Sequence, residues 1–191
     1  EARTSGEIYC VVARSSDCYF VAAALAVTAG ILVASLAAAL FLDRGWDRVT
    51  LTHFVAAQIL AVGAALVVLR AFPALRLHFV PLRHRYRRAH DNALKQFLAR
   101  NVHITAARTG VLIFVSLAER YAEIVADSGI HARTPQETWN AIVADLVDNA
   151  RKDRLADGFV TAIGTVGHIL AEHFPVSAHD SNELGDHVIE I

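Results

Sequence analysis

The residues best placed for chemistry are Asp127-Ser128-Gly129, which come just after an apolar, strand-like segment. In α/β folds, ligands bind where strands end. A carboxylate there could hold a divalent cation, Ca²⁺ or Mg²⁺, or take part in phosphoryl transfer, and His131 lies close by in the chain. The competing interpretation is a turn, since Asp, Ser and Gly are what a strand-to-helix connection favours. The turn is the commoner meaning of such a stretch; Asp127 with His131 is the best single candidate for a metal site.

A second group of possible ligands lies near the carboxyl end. His179, Glu183 and His187 are four residues apart, so a helix would align them toward one metal ion. Gly185 interrupts that spacing, and the surrounding residues are mostly polar. A solvated tail over residues 176–191, with a short apolar end at 188–191, is therefore the favoured interpretation.

Other reactive patterns are missing from the sequence. It contains no nucleophile elbow, no paired-cysteine zinc pattern, no phosphate-binding loop and no cysteine beside a plausible base. The two cysteines, Cys10 and Cys18, do not form a disulfide framework, which fits a reducing compartment. Without a convergent set of reactive residues, the sequence leaves open whether the chain is an enzyme.

Three short segments rich in β-branched and aromatic residues are predicted strands: residues 6–13, 109–117 and 121–127. The first two are apolar on both faces, which is typical of interior strands. A three-residue connection joins the second to the third, so these two should form an antiparallel hairpin with the charged third strand nearer an edge. The first segment should pair with the second, in parallel.

Three helices should cover this sheet. One begins at Leu82, and its predicted buried stripe is Tyr86, Ala89, Ala93, Leu94, Phe97 and Leu98. Thr134-Pro-Gln-Glu137 predicts a capping box with proline at the first position of the next helix, whose apolar face contains Trp139, Ile142, Val143, Leu146 and Val147. The last helix ends before Pro175, with Val160, Ile163, Val166 and Leu170 as its apolar face and Gly164 and Gly167 as a close-packing face.

Two uncharged runs, Tyr19 to Leu42 and Val49 to Leu69, separate the first strand from the rest of the sheet. They contain 24 and 21 residues, and a helix of that length is about 30 Å long or more, which matches the hydrocarbon core of a bilayer. Neither run has the polar stripe of a long helix in water. We predict a transmembrane helical hairpin, in preference to a buried helical pair.

Small residues follow these runs at every fourth position. Ala22, Ala26, Gly30, Ala34 and Ala38 form one such ridge, and Ala57, Ala61 and Ala65 form another. Such ridges let helix backbones approach closely in lipid, so we expect them to join the two helices. The polar residues Thr28, Ser35, His53 and Gln58 are expected to form hydrogen bonds between the helices rather than an ion path.

A basic segment follows the second run. Its six arginines are Arg70, Arg76, Arg83, Arg85, Arg87 and Arg88, with no acidic residue among them. Near the spans, the terminal side carries eight arginines and the connecting loop two, so both termini should be cytoplasmic. A basic run can bind nucleic acid, but beside a span it favours anionic head groups. We predict that Arg83, Arg85, Arg87 and Arg88 contact the membrane surface and that no nucleic acid binds.

The chain also resembles a known family. The stretch from Arg108 to Ser116, the strand that follows it, Gly129-Ile130 and two helices reaching Gly158-Phe159 resemble the TPM domain, named for thylakoid-lumen, phosphatase and membrane proteins, and most of all its bacterial putative membrane proteins. The resemblance implies an α/β/α sandwich on a small mixed sheet. Lumenal plant members are linked to photosystem repair and acid phosphatase activity, and some members bind divalent cations. Many members carry a Gly-Tyr-Gly-Leu-Glu-Gly loop where this chain has residues 126–130, with one glycine and one carboxylate.

Together these patterns predict an α/β fold: a three-layer α/β/α sandwich with an inserted two-helix transmembrane hairpin. Residues 1–18 should contribute the first strand, 19–72 the hairpin, and 73–191 the remainder with a polar tail. The chain has no methionine and begins just before a strand, so we expect a fragment lacking an N-terminal segment. The expected function is a binding or scaffolding module for membrane-protein maintenance in the bacterial inner membrane, with the lipid bilayer and a second membrane or membrane-proximal protein as partners. The alternative is a divalent-metal-assisted phosphatase that uses Asp127.

Overall fold

The computed structural model describes residues 4–43, 50–104, 108–175 and 188–191. The strands are β1 (Glu7–Ala13), β2 (Gly110–Ser116), β3 (Tyr121–Ala126) and β4 (Val188–Glu190). The helices are α1 (Phe20–Asp43), α2 (Leu51–Ala71), α3 (Pro73–Arg76), α4 (Leu82–Ala99), α5 (Ser128–His131), α6 (Gln136–Arg151) and α7 (Leu155–His173), with 3₁₀ turns at Leu77–Phe79 and Val102–Ile104. The chain divides into a sheet unit, residues 1–16 with 86–191, and a hairpin unit, residues 17–85.

The four strands form one mixed sheet in the order β3-β2-β1-β4. β1 and β2 are parallel, in register from Glu7 opposite Gly110 to Ala13 opposite Ser116. β2 and β3 are antiparallel, and β3 lies at an edge. The predicted parallel pair, hairpin and edge position are confirmed. Every residue of β2 is buried, as expected of an interior strand that is apolar on both faces.

The fourth strand corrects the prediction of a polar tail. Val188, Ile189 and Glu190 pair in parallel with Cys10, Val11 and Val12 of β1. The apolar end of the chain is thus part of the sheet. A three-residue strand of this kind has too little pattern of its own to predict, because the pairing comes from the open edge of β1.

Helices cover both faces of the sheet. On one face, Ile8, Cys10, Val111, Ile113 and Val115 form a core with α6 and α7, to which these helices contribute Trp139, Ile142, Leu146, Phe159, Ala162, Val166 and Leu170. On the other face, Tyr9, Val11, Leu112 and Phe114 pack with Ala93 and Phe97 of α4. The three-layer α/β/α architecture is confirmed. Val160, predicted for the apolar face of α7, is 71% exposed because it lies on the opposite side of the helix from this core.

The predicted capping box at the start of α6 is wrong. Pro135, with φ −60° and ψ 146°, is the N-cap, no side chain caps the helix, and the first helical residue is Gln136. The backbone N–H of Thr134 donates to Ile130 O at 3.0 Å, so Thr134 belongs to the preceding turn. Its buried Oγ1 has no hydrogen-bond partner in the described part of the chain.

In the hairpin unit, α1 and α2 pack against each other, but most residues of the predicted ridges are exposed. Ala26, Gly30, Ala34 and Ala38 are exposed, and a Cβ at Gly30 would meet no atom within 4 Å. The residues that are half-buried or buried mix spacings of three and four and include two ridge members, Ala22 and Ala65. They are Phe20, Ala22, Ala23, Ala24, Val27, Thr28, Ile31, Ser35 and Ala39 on α1, and Phe54, Gln58, Val62, Ala65, Leu66 and Leu69 on α2. Residues spaced by exactly four positions shift by about 40° around the helix axis at each step. Such a row therefore turns away from a straight neighbouring helix.

One predicted polar contact inside the hairpin is confirmed. Gln58 Nε2 donates to Ser35 Oγ across the two helices at 3.2 Å. His53 was predicted to bond across the helices as well, but its Nδ1 pairs with Thr50 Oγ1, one turn earlier in the same chain segment. Its position in the first turn of α2 makes that local bond the nearer choice.

Candidate functional site

A cluster of hydroxyls around one buried carboxylate lies at the carboxyl edge of the parallel strands. Ser116 ends β2, Ser15 and Ser16 follow β1, and Glu119 lies in the connection from β2 to β3. Glu119 is only 3% exposed. Ligands of open α/β sheets bind at this edge, so the serine–glutamate cluster, as we call these four residues, is where a site would be expected.

Both oxygens of Glu119 are occupied. Oε1 accepts from Ser15 Oγ at 3.2 Å and from the backbone N–H of Ser16 at 3.0 Å. Oε2 accepts from Ser116 Oγ, whose oxygen also lies 2.8 Å from Ser16 Oγ. From α4, Asn92 Nδ2 reaches Ser16 Oγ at 3.5 Å. The network ties the end of β1 to the end of β2 and to α4.

This arrangement differs from a nucleophilic serine site. Serine nucleophiles are commonly activated by an adjacent histidine or amine base. Here the hydroxyl partners are a carboxylate, another hydroxyl and an amide, and the carboxylate already accepts three hydrogen bonds from the protein. The geometry is suited to holding chain segments together.

Sequence reasoning missed this cluster, although a signal was present. Once β1 and β2 are predicted to be parallel, the residues that follow their carboxyl ends must lie together. Ser15-Ser16 and Ser116 are those residues. Their proximity could have been predicted, while the inward position of Glu119 depends on the geometry of the connection.

Asp127 lies at the opposite edge of the sheet. β3 runs antiparallel, so its carboxyl end meets the start of β2, and the Asp127 N–H donates to Gly110 O at 2.9 Å. The argument that placed Asp127 at the ligand-binding edge therefore does not hold. Oδ1 accepts from Ser128 N at 2.5 Å and from Ser128 Oγ at 3.0 Å, which makes Asp127 the N-cap of α5. The structure therefore agrees with the interpretation of Asp127-Ser128-Gly129 as a turn.

One feature of Asp127 is not explained by capping. The residue is 8% exposed, and its Oδ2 is buried with no hydrogen-bond partner in the described residues. His131 meets Asp127 through the backbone, donating its N–H to Asp127 O at 3.0 Å, and is exposed. Within the described ranges, no group of three His, Cys, Asp or Glu side chains could hold a metal ion. The metal assignment of Asp127 and His131 stays a prediction, and His179, Glu183 and His187 lie outside the described residues.

The four arginines predicted to contact a membrane surface lie in the first turns of α4, but not on one side of it. Arg83, Arg87 and Arg88 are exposed. Arg85 is half-buried, and its Nε is buried without a hydrogen-bond partner in the described part of the chain. At about 100° per residue, Arg83 and Arg87 share a side and Arg85 does not. Their role as membrane contacts stays a prediction.

Arg76 has a different role within the hairpin unit. Its Nε donates to Leu69 O at 2.8 Å and one terminal nitrogen to Arg70 O at 3.2 Å, which satisfies carbonyls at the end of α2. The other donates to Cys18 O at 3.3 Å, and the guanidinium lies 5.4 Å from the centroid of Phe20. Arg76 thereby links the end of α2 to the start of α1.

A further polar contact joins α4 to edge strand β3. His90 Nδ1 lies 2.9 Å from both oxygens of Glu123, and Tyr121 OH donates to Glu123 Oε2 at 3.0 Å. Burial, followed by the Glu123 carboxylate, raises the pKa of Tyr121, so the phenol remains a donor. A charged group on an edge strand also discourages pairing with another chain.

Comparison with known proteins agrees with this fold. The structure is similar to the NMR structure of BA42 protein from the psychrophilic bacterium Bizionia argentinensis, with a TM-score of 0.56 and 16% sequence identity, over 98% of this chain and 82% of that one. At that identity the likeness shows the fold alone. No curated protein matches the sequence. The model of the TPM domain family matches residues 74–169, just over half of the chain, and the chain therefore belongs to the TPM domain family.

Proposed function

We propose that this chain is an integral protein of the bacterial inner membrane that presents its TPM domain at the cytoplasmic surface as a binding or scaffolding module. The observation that carries the proposal is the exposure of α1 and α2. Their apolar windows, Phe20–Phe41 and Leu51–Ala71, have mean hydropathies of 2.3 and 2.1, yet only 6% of each is buried. A core helix of a water-soluble protein would be mostly buried, and a bilayer is the solvent that such exposed side chains require.

The position of the hairpin within the sheet supports a fixed attachment. β1 precedes α1 and its partner β2 follows α2, so the chain must pass through both helices to complete the sheet. A removable leader would separate β1 from β2. The domain is therefore held at the membrane by two covalent connections, which suits a module that acts beside its partners.

The serine–glutamate cluster supports binding over catalysis. At the edge where α/β folds bind substrates, the buried carboxylate already accepts three hydrogen bonds from the protein. A second membrane or membrane-proximal protein is the proposed partner, for which membrane-protein maintenance is the expected setting. Proteins that co-purify from native membranes with the full chain, and not with an unrelated two-helix membrane protein, would identify it; recovery of lipid alone would contradict this part of the proposal.

The topology is tested by labelling single cysteines in a Cys18→Ser background, where the remaining Cys10 is buried. With eight arginines on the terminal side and two in the loop, we expect both termini in the cytoplasm. Gly45→Cys should react with an impermeant maleimide in intact cells, and Ala178→Cys only after lysis. The reverse pattern would invert the orientation, and release of the chain by alkaline carbonate would refute membrane integration.

A second candidate function is a divalent-metal-assisted phosphatase using Asp127. The specific observation in its favour is the buried Oδ2 without a described partner, since a cation could supply the missing interaction. Against it, phosphoryl transfer needs several preplaced charges around the phosphate. Near Asp127 the sequence offers His131 and Arg133, and Arg133 is already bonded to His173 O at 3.2 Å and lies over Phe174.

We expect the purified chain to show no appreciable hydrolysis of an aryl phosphate in the presence of Mg²⁺, Ca²⁺ or Mn²⁺. The physical reason is that a single capping carboxylate cannot stabilise the charge of the departing phosphate. The assay compares the native chain with Asp127→Asn, which preserves a side-chain oxygen to cap α5. Turnover that is present in the native chain and absent in the variant would make the protein an enzyme.

A further inference from the structure

The side of α4 that faces away from the sheet carries cations and leucines together. α4 packs on the sheet unit through Ala89, Ala93 and Phe97. At about 100° per residue, the opposite side contains the exposed residues that we call the outer face of α4: Arg87, Arg88, Leu94, Lys95 and Leu98. Half-buried Asp91 lies on the same side, one turn from both Arg87 and Lys95. This face belongs entirely to the sheet unit.

Leu94 and Leu98 are the unexpected members of this face. Both were predicted to belong to the buried stripe, but they are 39% and 57% exposed. They are one helical turn apart, so their side chains project on the same side, with Arg87 and Lys95 beside them. Scattered exposed leucines are ordinary, but a leucine pair flanked by cations on one helix face is the pattern of a helix that lies in a lipid interface.

We propose that the outer face of α4 binds the surface of an anionic bilayer, with Leu94 and Leu98 entering the head-group boundary and Arg87 and Lys95 contacting lipid phosphates. This inference rests on the proposed membrane anchoring and adds to it the surface by which the domain lies on the lipid. It also revises the contact predicted from sequence, because Arg85 lies outside this face.

Charge and chain length favour lipid over a protein as the occupant. The outer face carries three cations, Arg87, Arg88 and Lys95, against one half-buried acidic residue on the same side, Asp91, a balance that complements phosphatidylglycerol-type head groups. Ten residues separate the end of α2 at Ala71 from Leu82, so α4 begins no more than about 35 Å from the membrane span even if that connection were fully extended. The outer face is therefore within reach of the bilayer into which α2 inserts.

The experiment places an environment-sensitive fluorophore on Leu98→Cys in the full-length Cys18→Ser chain, reconstituted in nanodiscs that contain anionic lipid. The matched control carries the same probe at Val160→Cys, on the outer side of α7, where the native residue is 71% exposed. We expect brominated lipid to reduce the emission of the Leu98 probe about twofold and iodide to have little effect, with the opposite pattern at Val160. Arg87→Glu with Lys95→Glu should restore iodide access at Leu98.

Each result has one meaning. Equal iodide access at both probes, or lipid quenching that persists with purely zwitterionic nanodiscs and in the charge-reversed variant, would overturn the proposed surface. Iodide protection at Leu98 without lipid quenching would assign the face to a second protein copy instead. If the chain failed to enter nanodiscs at all, the anchoring proposal would fail, and that failure is seen before any quenching is measured.

Discussion

Replacing Gly110 by alanine is expected to destabilise the sheet unit by about 3 kcal/mol or more, at the upper end of what overpacking a core costs. A Cβ at this position would lie 2.0 Å from the backbone oxygen of Val102 and 2.8 Å from its Cγ1. The side-chain atom could turn away, but the carbonyl belongs to the backbone of fully buried Val102 in a 3₁₀ turn and cannot. Either β2 or that turn must move, and β2 is fully buried between β1 and β3.

Gly164→Ala is the matched control, because a Cβ there meets no atom within 4 Å. It lies in the middle of α7, where alanine is favoured over glycine by about 0.5–1 kcal/mol, so this change should stabilise the unit. Urea unfolding in detergent, followed by the fluorescence of buried Trp139 in a Trp46→Phe background, measures both. Equal effects of the two substitutions would show that the close contact at Gly110 does not constrain the fold.

These glycines also mark a limit of sequence reasoning. Gly164 and Gly167 were predicted to form a close-packing face of the last helix, yet the first is open and the second meets only Ile8, at 3.9 Å. The crowded glycine of α7 is Gly158, where a Cβ would lie 3.0 Å from atoms of Asn149 and Leu146. A glycine is permissive of both situations, and the sequence around it does not reveal which neighbours approach.

The larger elements could be predicted because their signals are local. Beyond Glu7, β1 and β2 are apolar on both faces, and α1 and α2 are long and apolar, with charged residues only at their ends, Asp43 and Arg70, so periodicity and length were sufficient. β4 could not be predicted in this way, since Val188–Glu190 becomes a strand only by pairing with β1. The start of α6 was misplaced for a related reason: Thr134 bonds backward to Ile130, a contact that local capping rules do not consider.

The two candidate sites also differ in whether their signal is contained in one local segment of the sequence. Asp127 was found because an Asp-Ser-Gly stretch after a strand is visible in one segment, but its edge of the sheet depends on the direction of β3 relative to β2. The serine–glutamate cluster joins residues that are about 100 positions apart, such as Ser16 and Ser116. Only the register of two parallel strands brings them together, so no single segment contains the pattern.

Glu119→Ala is expected to destabilise the sheet unit by about 3 kcal/mol or more, because each buried donor left without its acceptor costs about 1–3 kcal/mol. The change removes the acceptor of the Ser116 hydroxyl and of the Ser16 N–H, in a place where Glu119 is 3% exposed and water does not easily replace it. Glu119→Gln should lose much less stability, because its amide oxygen still accepts from Ser16 N and its NH₂ can donate to Ser116 Oγ.

Exposed Glu137, changed to alanine, is the control for loss of a carboxylate at the surface. A double-mutant cycle with Ser116→Ala, read by the same unfolding curves, should give a coupling of about 1–3 kcal/mol. If Glu119→Ala and Glu137→Ala had the same small effect, the cluster would not be what joins the chain segments at the carboxyl edge. The case for binding over catalysis would then lose its main support.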